Sequence, residues 1–546
     1  RDLVRYDTRS GERSILIRGS SLIPTGGTTP IPIQGYEWSP DGDNLLIYTN
    51  SQRVWRRNTR GDYWVYDTRT GDLRQLGGGA EPSTLMFAKF DPSGTRVAYR
   101  RGYDLYVENL ASGELTRLTD DGSRTTINGT FDWVYEEEFD ARDGFRWSPD
   151  GEMIAYWQLD ATGIGEFLMI NNTDSLYSYT IPVQYPKAGD MNSAARVGVV
   201  AASGGETRWF EVPGDLRDNY IPRMEWAGSS DAIVIQRMNR LQNTNTVMIG
   251  DVNTGALVPI KTEQDRAWVN TVDDWEFYDR GLAFIWESES TGYRHVYRVT
   301  RDGGSTRPIT FGGWDVIGID LVDTENGWLW FRASPANATQ RYLYRARLDG
   351  SNPAQRITPE GQPGTHGYNI SPNGQFAFHT WSQFGIPPIT ELISLPDHQT
   401  IRTLVDNADL KATVESLDRG EYEFFTVNVN GFELDGWMMK PLDIIPGRRY
   451  PILMYGYTGP AGTTATDSWG GFNYLWHLML TQQGYIVATV DNRGTPSPKG
   501  RDFRKAIYRN YGTVASEDQA AAVRQILRER SYIDPERVGA WGWSGG

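Results

Sequence analysis

Gly542-Trp543-Ser544-Gly545-Gly546 satisfies the pattern G-x-S-x-G. A serine flanked in this way can sit on a sharp strand-to-helix turn that presents its hydroxyl to a carbonyl carbon. The next backbone N–H, that of Gly545, then helps to hold the oxyanion that forms. Small neighbours suit such a turn because the following element packs closely. A short pattern of this kind also arises by chance among 59 glycines, so a glycine-rich loop is the competing reading. The apolar run Arg537-Val538-Gly539-Ala540-Trp541 leads straight into the motif, where a nucleophile elbow belongs. Tyr457 is the second candidate, in the loop Tyr457-Thr458-Gly459-Pro460 after the buried run 451–457. In this kind of sheet that loop offers a second oxyanion donor, and a rigidly held phenol can serve. A packed aromatic before a turn is the alternative.

The third feature is Asp132-Trp133-Val134-Tyr135-Glu136-Glu137-Glu138-Phe139. Adjacent carboxylates repel one another, and a solvated face is the usual reason for such a run. Here Trp133, Tyr135 and Phe139 anchor it. Rigidly held acids attract a cation, and an α-ammonium offers several donors to two carboxylates at once. One such contact at ~4 Å and an effective dielectric of ~20 is worth on the order of 4 kcal/mol before desolvation.

The elements that must position these residues fall into two styles. Up to about residue 412 the chain reads strand, turn, strand. Trp38-Ser39-Pro40-Asp41-Gly42 returns as Phe90-Asp91-Pro92-Ser93-Gly94, Trp147-Ser148-Pro149-Asp150-Gly151 and Ser371-Pro372-Asn373-Gly374. A second phrase, a strand closing on a Gly-containing turn, recurs at Asp67 to Gly71, Glu108 to Gly113 and Asp251 to Gly255. The first turn phrases lie roughly 50–57 residues apart, a spacing that predicts one four-stranded blade each and a β-propeller, with eight blades favoured over seven. Unrelated hairpins in a sandwich are the alternative. From 413 to 546, buried runs at 451–457, 485–490 and 537–541 alternate with helical patterns at 472–483 and 513–530, the latter with Val514, Ala521, Ile526 and Leu527 on one side. That alternation predicts a parallel sheet covered on both faces.

Composition limits the function classes. The net charge is −15, which argues against binding nucleic acid. Mean hydropathy is −0.52, and no apolar run approaches the ~20 residues of a membrane span. With no cysteine, disulfides, thiolate catalysis and Cys-based metal sites are excluded. A periplasmic or a cytoplasmic protein fits. The opening run from Arg1 to Asp7 has no signal-peptide character and reads as a strand, so a leader or longer N-terminal segment is expected before it.

Taken together, these segments resemble the dipeptidyl-peptidase IV branch of the prolyl oligopeptidase family. The run Asp132 to Glu138 is close to diagnostic of that branch. Gly542-Trp543-Ser544, Tyr455-Gly456-Tyr457-Thr458-Gly459-Pro460, Asp491-Asn492-Arg493-Gly494-Thr495 and Glu517-Asp518-Gln519 resemble its hydrolase segments. The resemblance implies a propeller domain over 1–412 and the first part of an α/β-hydrolase domain over 413–546. It implies a serine exopeptidase that removes dipeptides from peptide N-termini, with proline or alanine preferred at the second position. Glu137 and Glu138 would bind the free amine, and Arg56, with Arg57 as the adjacent competitor, a substrate carbonyl. Ser544 would be the nucleophile, with Tyr457 and the Gly545 N–H as oxyanion donors. Fixing the amine would set a ruler for the bond that is cut.

The resemblance implies no metal or organic cofactor, and a homodimer; periplasmic peptide scavenging is the expected setting. Ser544-Gly545-Gly546 is one residue shorter between serine and glycines than the family pattern. The triad order is Ser, Asp, His, whereas His295, His366, His379, His398 and His477 all precede Ser544. The hydrolase domain is therefore expected to be incomplete here, with the triad Asp and His in a longer enzyme. The competing functions are a tripeptidyl or other oligopeptidase of the same family and an inactive peptide-binding scaffold.

Overall fold

The computed structural model describes residues 2–546; Arg1, the first residue of the opening run, lies outside them. The strand expected there spans Leu3–Tyr6. The chain forms two compact units, Arg1–Asp273 and Asp274–Gly546.

The first unit is built of antiparallel sheets whose hairpins repeat one local design. In the Ser-Pro-Asp-Gly turns the glycine N–H donates to the serine C=O, at 2.8 Å for Gly42 to Ser39 and 2.9 Å for Gly151 to Ser148. The serine hydroxyl donates to the aspartate, and it accepts from the first strand residue beyond, Asn44 or Met153, at 2.9 Å. Gly42 and Gly151 sit at φ 77° and 74°, which only glycine adopts without strain. The repeating phrase is thus a fixed hydrogen-bonded unit. In one sheet the strands Asn58–Asp67, Leu85–Phe90 and Arg96–Arg101 lie side by side, with Arg60 opposite Met86 and Met86 opposite Arg100. The next sheet, centred on Met153–Asp160, packs against the four-stranded sheet that runs from Asn219–Trp226 to Leu257–Gln264. Their shared core holds Trp157, Ile221, Ile233 and Ile235, all fully buried or nearly so.

The second unit opens with three four-stranded antiparallel sheets between Phe277 and Val405. The helix Ala408–Glu415 follows and straddles the boundary expected at 412. A mixed sheet comes next, with its strands ordered Tyr422–Val429, Phe432–Met439, Ile486–Val490, Tyr450–Gly456 and Ile533–Gly542. Tyr450–Gly456 is parallel to both its neighbours. The two helices and three strands expected from the sequence are present, with two corrections. The sheet is mixed rather than all parallel, because Tyr422–Val429 and Phe432–Met439 join it antiparallel. Ile533–Gly542 is exposed along most of its length rather than buried, because it stands at the edge of the sheet order. The helix Tyr511–Glu529 turns its face slightly from the expected one: Ala515, Asp518, Ala522 and Ile526 are buried, while Val514, Ala521 and Leu527 flank them. Among the described residues no helix is long and apolar enough to cross a membrane.

Candidate active site

The parallel strands of the second unit bring the serine motif and the tyrosine loop together. Tyr450–Gly456 is the strand at which the winding reverses, since its neighbours Ile486–Val490 and Ile533–Gly542 lie on opposite sides. A crevice opens outside the carboxyl end of such a strand. Gly456 pairs with Gly542, so Tyr457 and Trp543-Ser544 leave the sheet side by side.

Ser544 sits at φ 57°, left-handed backbone that a serine tolerates only at some cost. A Cβ on Gly542 would lie 2.5 Å from the Gly546 carbonyl carbon and 2.7 Å from the Gly456 oxygen. The flanking glycines are therefore required by contact, as an elbow demands. The Gly545 N–H makes no hydrogen bond among the described residues. The Gly545 carbonyl is heavily held: it accepts from Thr458 N at 3.2 Å, Thr458 Oγ1 at 2.9 Å and the Tyr511 hydroxyl at 3.3 Å. The Tyr457 ring lies against Gly545 on one side and Gly462 on the other. A second layer fixes the loop. Asn492 is fully buried; its amide donates to Thr458 O at 3.1 Å and accepts from Gln519 at 3.1 Å. The neighbouring Arg493 forks onto buried Asp518 at 2.7–3.2 Å.

In the first unit, Trp133–Phe139 is a helix. Asp132 caps it, accepting from Tyr135 N at 3.0 Å and from the Ser193 hydroxyl at 2.6 Å. Tyr135 and Phe139 are buried against Phe131 and Tyr220, and the Tyr135 hydroxyl accepts from Ile221 N at 3.0 Å. The Trp133 ring lies against that of Tyr185, with centroids 4.3 Å apart. The three glutamates then diverge. Glu136 is buried and bonds Arg142 at 3.2 Å. Glu137 receives both arms of Arg56, each at 2.5 Å. Glu138 is exposed, with no hydrogen bond to another side chain among the described residues; partial burial of its carboxyl first, and the charge of Glu137 second, raise its pKa. A cation beside Glu137 and Glu138 would relieve that repulsion.

The comparisons with known proteins decide the family. Residues 39–388 match the model described as "Dipeptidyl peptidase IV (DPP IV) N-terminal region", and residues 472–546 match "Prolyl oligopeptidase family". The chain belongs to the dipeptidyl peptidase IV branch of the prolyl oligopeptidase family. Dipeptidyl peptidase 4 of Arthroderma otae is 27% identical over 555 residues, which cover 98% of this chain and 70% of that protein. The Trichophyton equinum protein of the same name is 26% identical over 550 residues, 98% and 70% of the two chains. The crystal structure of Porphyromonas gingivalis dipeptidyl peptidase 4 superposes with a TM-score of 0.92 at 28% identity, covering 100% of this chain and 76% of that one. The architecture is thus a propeller followed by a hydrolase domain, and the protein is a serine peptidase.

The structure brings Ser544, Gly545 and Tyr457 together in one unit, and Arg56 and Glu137 together in the other. It selects Arg56 rather than Arg57 as the arginine that faces the acidic helix. Sequence reasoning missed Thr458 and Tyr511 as supports of the motif and Arg142 as the partner that withdraws Glu136. Asn492, Asp518 and Gln519 fell within segments singled out for their resemblance, but nothing in their spacing gave their roles. Among the described residues none of the five histidines hydrogen-bonds Ser544, and all five are buried. No group of three or more His, Asp or Glu among these residues is placed to hold a metal ion.

Proposed function

We propose that this peptidase releases dipeptides from the N-termini of peptides, with proline or alanine preferred at the second position. Glu137 and Glu138 hold the substrate's α-ammonium, and Arg56, already bound to Glu137, turns its remaining donor toward a substrate carbonyl. The Ser544 hydroxyl attacks the scissile carbonyl and passes its proton to a histidine base that follows the serine in chain order. The tetrahedral oxyanion is held by the Gly545 N–H and the Tyr457 hydroxyl; the leaving amine departs, and water then hydrolyses the acyl-enzyme. Holding the amine fixes the count of residues to the cleaved bond.

The observation that carries this reading is the acidic helix, where Glu136 is buried against Arg142, Glu137 is held by the exposed Arg56, and Glu138 is exposed. The test compares a free-amine X-Pro anilide with its N-acetylated form. Wild type cleaves only the free amine, and Glu137→Ala lowers kcat/KM for it by about 10²-fold, the scale of losing a charge-assisted contact. Equal cleavage of the acetylated substrate overturns the reading, and a tripeptide product from a longer peptide overturns the dipeptide ruler.

The same reading includes an eight-bladed propeller, with the pair Leu3–Tyr6 and Arg13–Ile17 belonging to a further blade, and a change of domain near residue 412. It also includes a periplasmic setting and a homodimer. The hairpin Glu166–Asn171 with Tyr179–Gln184 supports the dimer, because its apolar side chains are exposed.

A further inference from the structure

The first unit contains a cavity of about 800 Å³ beside the acidic helix, lined in part by its Asp132, Trp133 and Glu136 but not by Glu137, Glu138 or Arg56. Arg60 and Arg100 line it, from the row Arg60–Met86–Arg100 that crosses three neighbouring strands. Residues directly opposite across a sheet share a face, so the two guanidinium groups flank one methionine. Neither forms an ion pair among the described residues. Arg100 is only 9% exposed. Its hydrogen bond goes to the Met86 sulfur at 2.8 Å, its plane lies over Tyr103 at 5.3 Å, and its Nε has no partner. Arg60 bonds Gln52 at 2.8 Å, and its Nε also lacks a partner, as does the buried Thr59 hydroxyl.

Buried charge without a counter-ion is costly. Burial pushes the Arg100 pKa down to about 10, against the opposing influence of Tyr103 and Asp104 and with a smaller contribution from the like charge of Arg60. The nearby acids are already engaged. Asp104 is taken by Arg117 at 2.7 Å and Thr119 at 2.7 Å. Asp132 caps its helix, and Glu136 holds Arg142. Glu81 stands on the exposed rim.

A second observation is independent of charge. Phe87, on the cavity wall, sits at φ 57°, where the strand Leu85–Phe90 slips register between Met86 and Lys89. A bulky residue in left-handed backbone stores strain, and such strain gathers where a wall must be shaped to a ligand. Trp55, Phe131 and Trp133 join it on the walls.

We propose that this cavity binds an organic carboxylate with an aromatic or apolar body, of the size of one or two amino-acid residues, gripped by Arg60, Arg100 and the Thr59 hydroxyl. Forked guanidinium donors suit a planar carboxylate, the aromatic walls suit the body, and the volume lies in the range of small-molecule sites. The cavity shares a wall with the acidic helix, but its ligand is gripped by other residues and needs no free amine.

The probes are N-acetylphenylalanine, its C-terminal amide and inorganic phosphate, titrated into the whole chain. Binding is followed by calorimetry. The carboxylate saturates the site and the isosteric amide binds at least about tenfold more weakly. Arg60→Met, at a half-buried position that leaves folding intact by melting temperature, weakens the carboxylate by a similar factor, and Arg100→Met does so where it folds. Equal binding of acid and amide, or an unchanged affinity in Arg60→Met, overturns the proposal. Phosphate binding as tightly as N-acetylphenylalanine overturns the organic-acid assignment.

Discussion

Glu136, Glu137 and Glu138 are identical in chemistry and consecutive in sequence, yet their surroundings give them different tasks. Helical geometry turns each by about 100° from the last, so the run cannot face one way. Glu136 points to Arg142 and stays buried; Glu137 and Glu138 do not. Glu136→Gln should therefore cost folding stability, on the order of 2 kcal/mol for a half-broken, mostly buried pair whose arginine is partly hydrated. It should leave the discrimination between free and acetylated amines in place. Thermal melts paired with the anilide assay check this, and a loss of amine discrimination without a fall in melting temperature would place Glu136 in the clamp itself. The sequence announces the carboxylates but not this division, because Arg142 folds back from the irregular loop just after the helix and Arg56 approaches from a bend 81 residues before Glu137.

At the scale of elements, the sheet holds the chemistry. Gly456 and Gly542 end paired strands, and the loops beyond them meet again where Thr458 holds the Gly545 carbonyl. The Tyr457 ring sits between two glycines that leave it room but little freedom, so its hydroxyl is pre-set rather than recruited. Tyr457→Phe should lower kcat by about 10²–10³-fold, the usual loss of one oxyanion donor, with KM and melting temperature nearly unchanged. Single-turnover kinetics with a free-amine anilide measure it, and a change confined to KM would assign Tyr457 to ground-state binding. Much of this arrangement is legible in the sequence. The G-x-S-x-G motif, the strand before it and the tyrosine loop all come from local pattern, as do the Ser-Pro-Asp-Gly turns, whose hydrogen bonds close within five residues. The Asn492–Thr458 and Arg493–Asp518 supports are not legible there, since they join segments 25 or more residues apart and leave no periodic trace.

For the whole molecule, all five histidines are buried and burial lowers their pKa, to about 4 for His366 and His477 and about 3 for His379. An unfolded histidine titrates near 6.5, so between about pH 6.5 and 4 the unfolded chain binds more protons and stability falls as pH falls. Asp320 and Asp491, raised to about 6 by burial, act oppositely because the folded state holds their protons, and burial raises Glu37, Asp132, Glu138, Glu276 and Asp435 in the same sense. These groups soften the decline, while turn aspartates held down by hydrogen bonds, such as Asp41 and Asp150, add to it at lower pH. The melting temperature should drop steadily below pH 6.5, and a flat profile from pH 7 to 4.5 would contradict this account.

The same scale decides assembly. In the hairpin Glu166–Asn171 with Tyr179–Gln184, Ile170 is 73% exposed, and at its tip Leu176 and Tyr177 are 91% and 82% exposed. Two strands alone are marginally stable in water, and apolar side chains on an exposed arm mark a contact surface. A chain of net charge −15 repels its copies at long range, so association needs a short-range apolar contact of this kind. On the proposed homodimer, the double substitution Leu176→Asp and Tyr177→Asp should therefore give a monomer in analytical ultracentrifugation where the unsubstituted chain sediments as a dimer, while the hairpin's ladder and the fold persist. The hairpin also supplies Val183 and Gln184 to the wall of the first unit's cavity, so the substitution at its tip should leave N-acetylphenylalanine binding unchanged. A dimer that survives the substitution would move the interface to another surface.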